Sequence, residues 1–302
     1  MFPTQPVPGL PGRDVTTLVA LMACHNRREK TLAAIARYFA AESPTDCGRR
    51  LVLVDDGSTD GTAEAVRAAF PEAIIEQGDG SLFWNRGMLR AWQRALRIEP
   101  DYVLWLNDDT LLYPHALAAL LETDARLRAE TGQPGIVVGS TDNDAGELSY
   151  GGSVPASAFN RLKMRKVVPG DAPRPAVTMN GNCVLVPRAV YERIGLLDEV
   201  FRHAMGDNDY GFRAHKAGIP IWVMPGYAGR CNNDNRVTGG FLDAALPLRA
   251  RWRKIASPKG LPFGAWRVLC QRHAGPAWPL VWLLPYAKVL LSAAMRRPSG
   301  AP

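Results

Sequence analysis

From residue 244 to residue 302 the chain contains no aspartate or glutamate, yet it carries ten lysines and arginines there. The remainder of the 302 residues holds 26 bases against 29 acids, so the net charge of +7 and the pI of 9.3 reside in the tail. Such a shift marks a boundary near residue 240. The mildly acidic body that remains lacks the basic face a nucleic-acid partner demands, and none is expected. Paired cysteines are missing as well. The five, at positions 24, 47, 183, 231 and 270, are odd in number and include no Cys-X-X-Cys. That argues against a disulfide framework and a zinc site and suits a reducing cytosol. The opening MFPTQPVPGLPGRDVT is rich in proline and glycine but has no apolar signal core. Residues 1–16 are therefore expected to form a flexible arm, with the chain staying cytoplasmic. Also absent are Gly-X-Gly-X-X-Gly and Gly-X-X-X-X-Gly-Lys-Ser/Thr; the first turn reads ACHNRREK. A phosphate grip built from glycine amides or a P-loop lysine is excluded.

What is present is alternation. TLVALMAC (17–24), RLVLVDD (50–56), EAIIEQ (72–77) and DYVLWLN (101–107) are short apolar runs. Between and after them, residues 28–40, 62–70, 84–97 and 114–130 follow helical spacing, the last opening with Pro114 at a helix start. Strand–helix alternation of this kind predicts an α/β fold with a parallel sheet covered on both faces, which explains why the strands are continuous apolar runs. Trp92 and Trp105 are expected in the core.

Ligands of an open parallel sheet bind outside the carboxyl ends of its strands. The polar residues fall there: His25 and Asn26, Asp55 and Asp56, Gly78 to Ser81, and Asn107 to Asp109. Any one of these alone reads as a helix cap or turn; four ends together describe a site. Without glycine amides or a P-loop lysine, a nucleotide diphosphate needs another counter-charge. Mg²⁺ or Mn²⁺ held by carboxylates would serve, since these ions favour oxygen ligands. On an extended segment Asn107 and Asp109 would share one side.

At these residues the chain, over roughly 17–225, resembles the inverting glycosyltransferases of family 2, which have the GT-A fold. LVDDGSTDGT is similar to that family's base-reading motif, GDGSLFWNRGM to its nucleotide-sugar loop and LNDDT to its Asp-X-Asp metal motif. MNGNCVLVPRAVYERIGLLDEVFRHAMGDNDYGFRAHKAG (179–218) is similar to its acceptor half. The resemblance implies a catalytic GT-A domain over 17–240 and a nucleotide-sugar site of Cys24, Asn26, Asp55, Asp56, Gly78, Gly80, Ser81, Trp84, Asn85, Asn107, Asp108 and Gly181. It implies Asp109 as ligand of a divalent metal ion, and Asp207 as the base, with Asp209 one step on. The chain departs from the pattern in several places. Asn107 stands for the first metal-motif acid, Trp84 for an arginine and Gly206 for the first acid of a Glu-Asp pair. Leu248 breaks the Gln-X-X-Arg-Trp motif of polymerising enzymes, and GRCNNDN (229–235) shows no metal-binding histidine.

The expected function is metal-dependent, inverting transfer of one sugar from a UDP- or dTDP-linked donor to a hydroxyl of a glycan or lipid-linked glycan, in envelope or extracellular glycan assembly. A sugar-phosphate nucleotidyltransferase would want a Gly-rich, Lys-bearing first loop. An inactive sugar-nucleotide-binding subunit would not need Asp109 and Asp207. In the extension, 241–302, PAWPLVWLLPYAKVLLSAAMRR (276–297) is long enough to span a bilayer, but Lys288, Pro279 and Pro285 count against that. Packing as a core helix is the alternative to lying in an anionic membrane interface at the inner face of the cell membrane. Bases and aromatics favour the interface.

Overall fold

The structure, a computed structural model, describes residues 15–157, 160–232, 240–243 and 245–294, with side chains as far as Leu291. Most of the expected arm lies outside the described residues, and Thr16 already belongs to the first strand. The first half alternates as expected: β1 (Thr16–Cys24), α1 (Arg28–Ala40), β2 (Cys47–Asp55), α2 (Thr62–Ala69), β3 (Ile74–Gln77), α3 (Phe83–Ala95) and β4 (Tyr102–Leu106). β5 (Leu111–Leu112), α4 (Ala116–Thr131) and β6 (Ile136–Asp142) follow. The helix after Pro114 starts two residues later than its sequence suggests, with His115 at the N-cap.

β3, β2, β1 and β4 lie side by side in that order and all run parallel. Their register aligns the ends: Cys24 faces Asp55, and Asp55 faces Gln77. The loops that follow therefore leave one rim. The chain grows away from β1 through β2 and β3, then returns to the far side of β1 as β4. That reversal opens the crevice where such sheets take ligands.

Beyond β6 the chain stays at this rim. It forms β7 (Leu148–Tyr150), β8 (Gly152–Pro155), β9 (Met164–Lys166), β10 (Arg174–Ala176) and β11 (Thr178–Met179), with β8, β9 and β11 making a separate small sheet. It then re-enters the main sheet from above as β12 (Cys183–Pro187), antiparallel to both β4 and β6. No helical crossover precedes β12, so the sheet is mostly rather than wholly parallel. α5 (Arg188–Ile194), α6 (Gly206–Lys216) and β13 (Ile221–Arg230, parallel to β6) complete this part.

Apolar side chains fill both faces of the sheet. Val19, Leu21, Val52 and Val54 point to one, with Trp92, Trp105 and Tyr210, while Leu18, Ala20 and Met22 point to the other, under α1 and α4. The tryptophan rings meet edge to face at 5.6 Å, a favoured aromatic arrangement. The tail forms α7 (Leu248–Ala256), α8 (Phe263–His273) and α9 (Trp278–Ala294). One face of these helices builds a third cluster with Phe201 and Met205 of the loop before α6. No described helix is long and apolar enough to cross a membrane.

Candidate active site

Asp56 organises the rim at β2 and β3. Its Oδ1 accepts the backbone N–H groups of Gly80 (2.9 Å) and Leu82 (3.3 Å), and its Oδ2 that of Phe83 (2.9 Å). Gly78 must be glycine here, because a Cβ would lie 2.5 Å from Asp56 Oδ1. Asp55 accepts the Ser58 amide at 2.9 Å, and Asn26 Oδ1 accepts that of Thr59 at 2.8 Å. Asp55 and Asp56 are thus buried scaffolding for the loops. What those loops expose is Asn26, Gly80 and Ser81. Cys24 is corrected to a core residue, since it is buried under α1 and burial raises its thiol pKa well beyond the usual range.

At the end of β4 the backbone closes a turn, Thr110 N–H to Asn107 carbonyl at 3.1 Å, so the extended-strand expectation for Asn107 and Asp109 fails. Asn107 Oδ1 instead accepts the indole N–H of Trp84 at 2.7 Å. Asp108 is buried, and its carboxyl is pushed up to about 6 by that burial against the pull of Arg27. Arg27 Nη1 donates to Asp108 Oδ1 at 3.0 Å and to Asp109 Oδ2 at 2.8 Å. On its other side Asp109 Oδ1 faces Cys231 Sγ at 3.4 Å, whose thiol is pushed up to about 12 by burial and by Asp109 itself. A cleft of about 290 Å³ borders Asp109 and takes Lys30 and Arg230 into its wall.

Among the described residues no three His, Cys, Asp or Glu side chains gather as a ready metal cage. Mg²⁺ and Mn²⁺ do not require one, because one or two carboxylates plus substrate phosphates hold such an ion. Asp109, at the crevice with one oxygen turned toward an uncharged thiol, fits that pattern. Residues 233–235 of the stretch GRCNNDN lie outside the described residues.

The acceptor half joins this rim through Trp84. Gly181, between β11 and β12, lies under the Trp84 ring, where a Cβ would come within 2.3 Å of the indole. The Gly181 amide donates to Asp207 Oδ2 at 3.1 Å, while Asp207 Oδ1 accepts from the Asn208 backbone at 2.8 Å. Asp207 is half-buried in the first turn of α6, and burial raises its pKa. A raised pKa is the direction that makes a carboxylate a better proton acceptor.

Two expectations are corrected. Asn85 is wholly buried and donates to the carbonyls of Asp198 and Phe201, both at 2.8 Å. It holds the loop before α6 rather than a donor. It also explains Gly206, because a Cβ at that position would sit 1.7 Å from Asn85 Oδ1 and no acid can be accommodated. Asp209 has no exposure and lies among Arg213 (2.8 Å), Arg272 (3.1 Å) and His273 (2.9 Å). Burial raises its pKa, but the His273 hydrogen bond and the arginines prevail and hold it below the usual range. A carboxylate so engaged cannot serve an acceptor.

Sequence reasoning passed over Arg27, although two adjacent acids at a strand end require a counter-charge from somewhere. His203 carries no sequence signal of its own. This histidine packs edge-on against Phe83 at 6.2 Å and is held to about 4 by burial and by the charges of Lys259 and Arg27. The sign follows: between pH 6.5 and 4 the unfolded chain binds a proton that the folded one refuses, so stability falls with pH across that window. His203→Gln is expected to flatten this acid limb in urea melts at pH 5 against pH 7. An unchanged limb would show that His203 is protonated in the fold. Asn26 (φ 51°), Phe83 (φ 58°) and Met205 (φ 79°) all adopt left-handed backbone around this crevice, the kind of strain that gathers at functional sites.

Comparison with known proteins agrees with this geometry. Residues 15–254 match the family described as "Glycosyltransferase like family 2". An N-acetylglucosaminyl-diphospho-decaprenol L-rhamnosyltransferase of Mycobacterium tuberculosis is 26% identical over 297 residues, 90% of this chain and 89% of that protein. Among solved structures, the mannosyltransferase PcManGT of Pyrobaculum calidifontis with GDP-Man and Mn²⁺ superposes with a TM-score of 0.51 at 15% identity, over 99% of this chain and 80% of that one. GalNAc-T7 with UDP, GalNAc and Mn²⁺ gives 0.54 at 13% identity, over 91% and 55%. With a GT-A fold, a crevice at the strand reversal and a family match across most of its length, the chain belongs to glycosyltransferase family 2.

Proposed function

We propose that the protein transfers one sugar from a UDP- or dTDP-linked donor to a hydroxyl of a lipid-linked glycan, with inversion at the anomeric carbon. The observation that carries this reading is an unbroken line of contacts from Asp207 through Gly181, Trp84 and Asn107 to the turn bearing Asp109. It connects a carboxylate of raised pKa to a carboxylate suited to a cation. The name of the mycobacterial relative, an N-acetylglucosaminyl-diphospho-decaprenol L-rhamnosyltransferase, supports the lipid-linked acceptor.

Asp207 takes the proton of the acceptor hydroxyl as its oxygen bonds to the anomeric carbon from the face opposite the diphosphate. The anomeric C–O bond breaks, and its electron pair leaves with the nucleoside diphosphate. Arg27 holds fixed positive charge where charge grows on that leaving group. A divalent cation on Asp109, when bound, supplies Lewis acidity at the same diphosphate. The Asp56-ordered loop presents Gly80 and Ser81 to the donor, and the β1–α1 loop presents Asn26.

Thermal shift with UDP- and dTDP-sugars, with and without Mn²⁺, tests the reading. A ligand at a hundred times its dissociation constant stabilises by about 2.7 kcal/mol. Asp109→Asn is expected to lose the Mn²⁺-dependent part while the unliganded protein melts cooperatively. Full, chelator-sensitive affinity in that variant would overturn Asp109 as the metal ligand.

A further inference from the structure

A helix that is apolar all round is normally buried all round. α9 is not. Its inner face, with Val281, Trp282, Tyr286 and Val289, packs against α7 and α8. On the opposite face Leu280, Leu283, Leu284 and Leu291 recur at helical spacing with Leu290 beside them, and these five are 47–73% exposed. Trp252 of α7 and Phe263 of α8, at 44% and 55%, are exposed on the neighbouring helices, Trp252 close to Tyr286 and Phe263 close to Trp282. An uncovered surface of this kind marks a docking site.

The charges select the occupant. Arg249, Arg253, Lys259, Arg267 and Lys288 are exposed, and Arg267 lies over the Trp282 ring at 5.9 Å. No acid occurs anywhere from residue 244 onward. Two of the tail's ten bases do not count toward this surface: Arg251 is buried on the Phe241 carbonyl, and Arg272 is tied to Asp198 and Asp209. A second copy would bring base against base. An anionic bilayer meets both features at once, with leucines and aromatics entering the interface and bases resting on the headgroups.

We infer that the outer face of α9, with Trp252 and Phe263, docks the protein onto an anionic membrane surface. The inference does not rest on the transfer chemistry, since it concerns a face whose occupancy is measured without substrate. The full chain is expected to float with vesicles of phosphatidylcholine mixed with phosphatidylglycerol at low salt, weakly with pure phosphatidylcholine, and less as salt rises. Leu280→Gln, Leu284→Gln and Leu291→Gln together should weaken flotation about tenfold or more, with unchanged melting and unchanged donor-induced thermal shift. The inference is overturned if the parent chain stays soluble with both vesicles or if the triple variant floats equally well. It is also overturned if light scattering shows a parent dimer that the triple variant dissociates, which would make a second copy the occupant.

Discussion

Asp207→Asn should lower sugar transfer by about 10²–10⁴, the usual worth of a positioned general base, while donor affinity stays within a few-fold. Three observations set this expectation. The carboxylate stands half-buried at the start of α6, both its oxygens are oriented by N–H donors from Gly181 and Asn208, and burial raises its pKa. Asparagine keeps the shape and an acceptor oxygen for the Gly181 amide but cannot take a proton. The loss should therefore fall on kcat, with donor-induced thermal stabilisation retained. Single-turnover transfer at saturating donor and acceptor separates the two. A variant that turns over at near the parent rate would assign the proton to another group, and a variant that no longer binds donor would make Asp207 a binding residue.

Much of this site was legible in the sequence because βα alternation fixes where strand ends go. Once β1 to β4 are parallel and aligned, whatever follows each strand lies on one rim, and that holds for Asn26, Ser81 and Asp109 without knowledge of a single contact. The illegible part is which acids on the rim face the crevice and which face the loops. Asp56 and Asp109 both follow apolar strands, yet one is consumed by three backbone amides and the other pairs with Arg27 and borders a cleft. Only the path of the 78–83 loop decides this, and loop paths carry no periodicity. Asn85 misled for a related reason: its neighbours in sequence belong to the donor loop, but its amide turns inward to carbonyls more than a hundred residues away. The antiparallel β12 was hidden because an apolar run does not say from which end its strand enters the sheet.

Asp209→Asn is expected to leave chemistry available but to destabilise the fold by about 3 kcal/mol, within the range found when one partner of a buried ion pair is removed. The carboxylate is fully buried and binds Arg213 on its own helix and Arg272 and His273 on α8. It is thus the electrostatic joint between the catalytic part and the tail. The two arginines are partly exposed and can turn to water, which keeps the loss toward the lower end, whereas His273 is 2% exposed and cannot. For a chain of this size the change corresponds to a fall in melting temperature of roughly 5 °C. The pH dependence should change too. A folded pKa held below the unfolded value contributes stability above about pH 4, lost as pH falls through the folded value, so the parent should weaken in that acid range and Asp209→Asn should not. Hydrogen exchange locates the effect: amides of α8 should lose protection before those of β1. If Asp209→Asn melts with the parent yet is inactive, while Asp207→Asn transfers sugar, the two acids have exchanged roles and α6 presents its second acid to the acceptor.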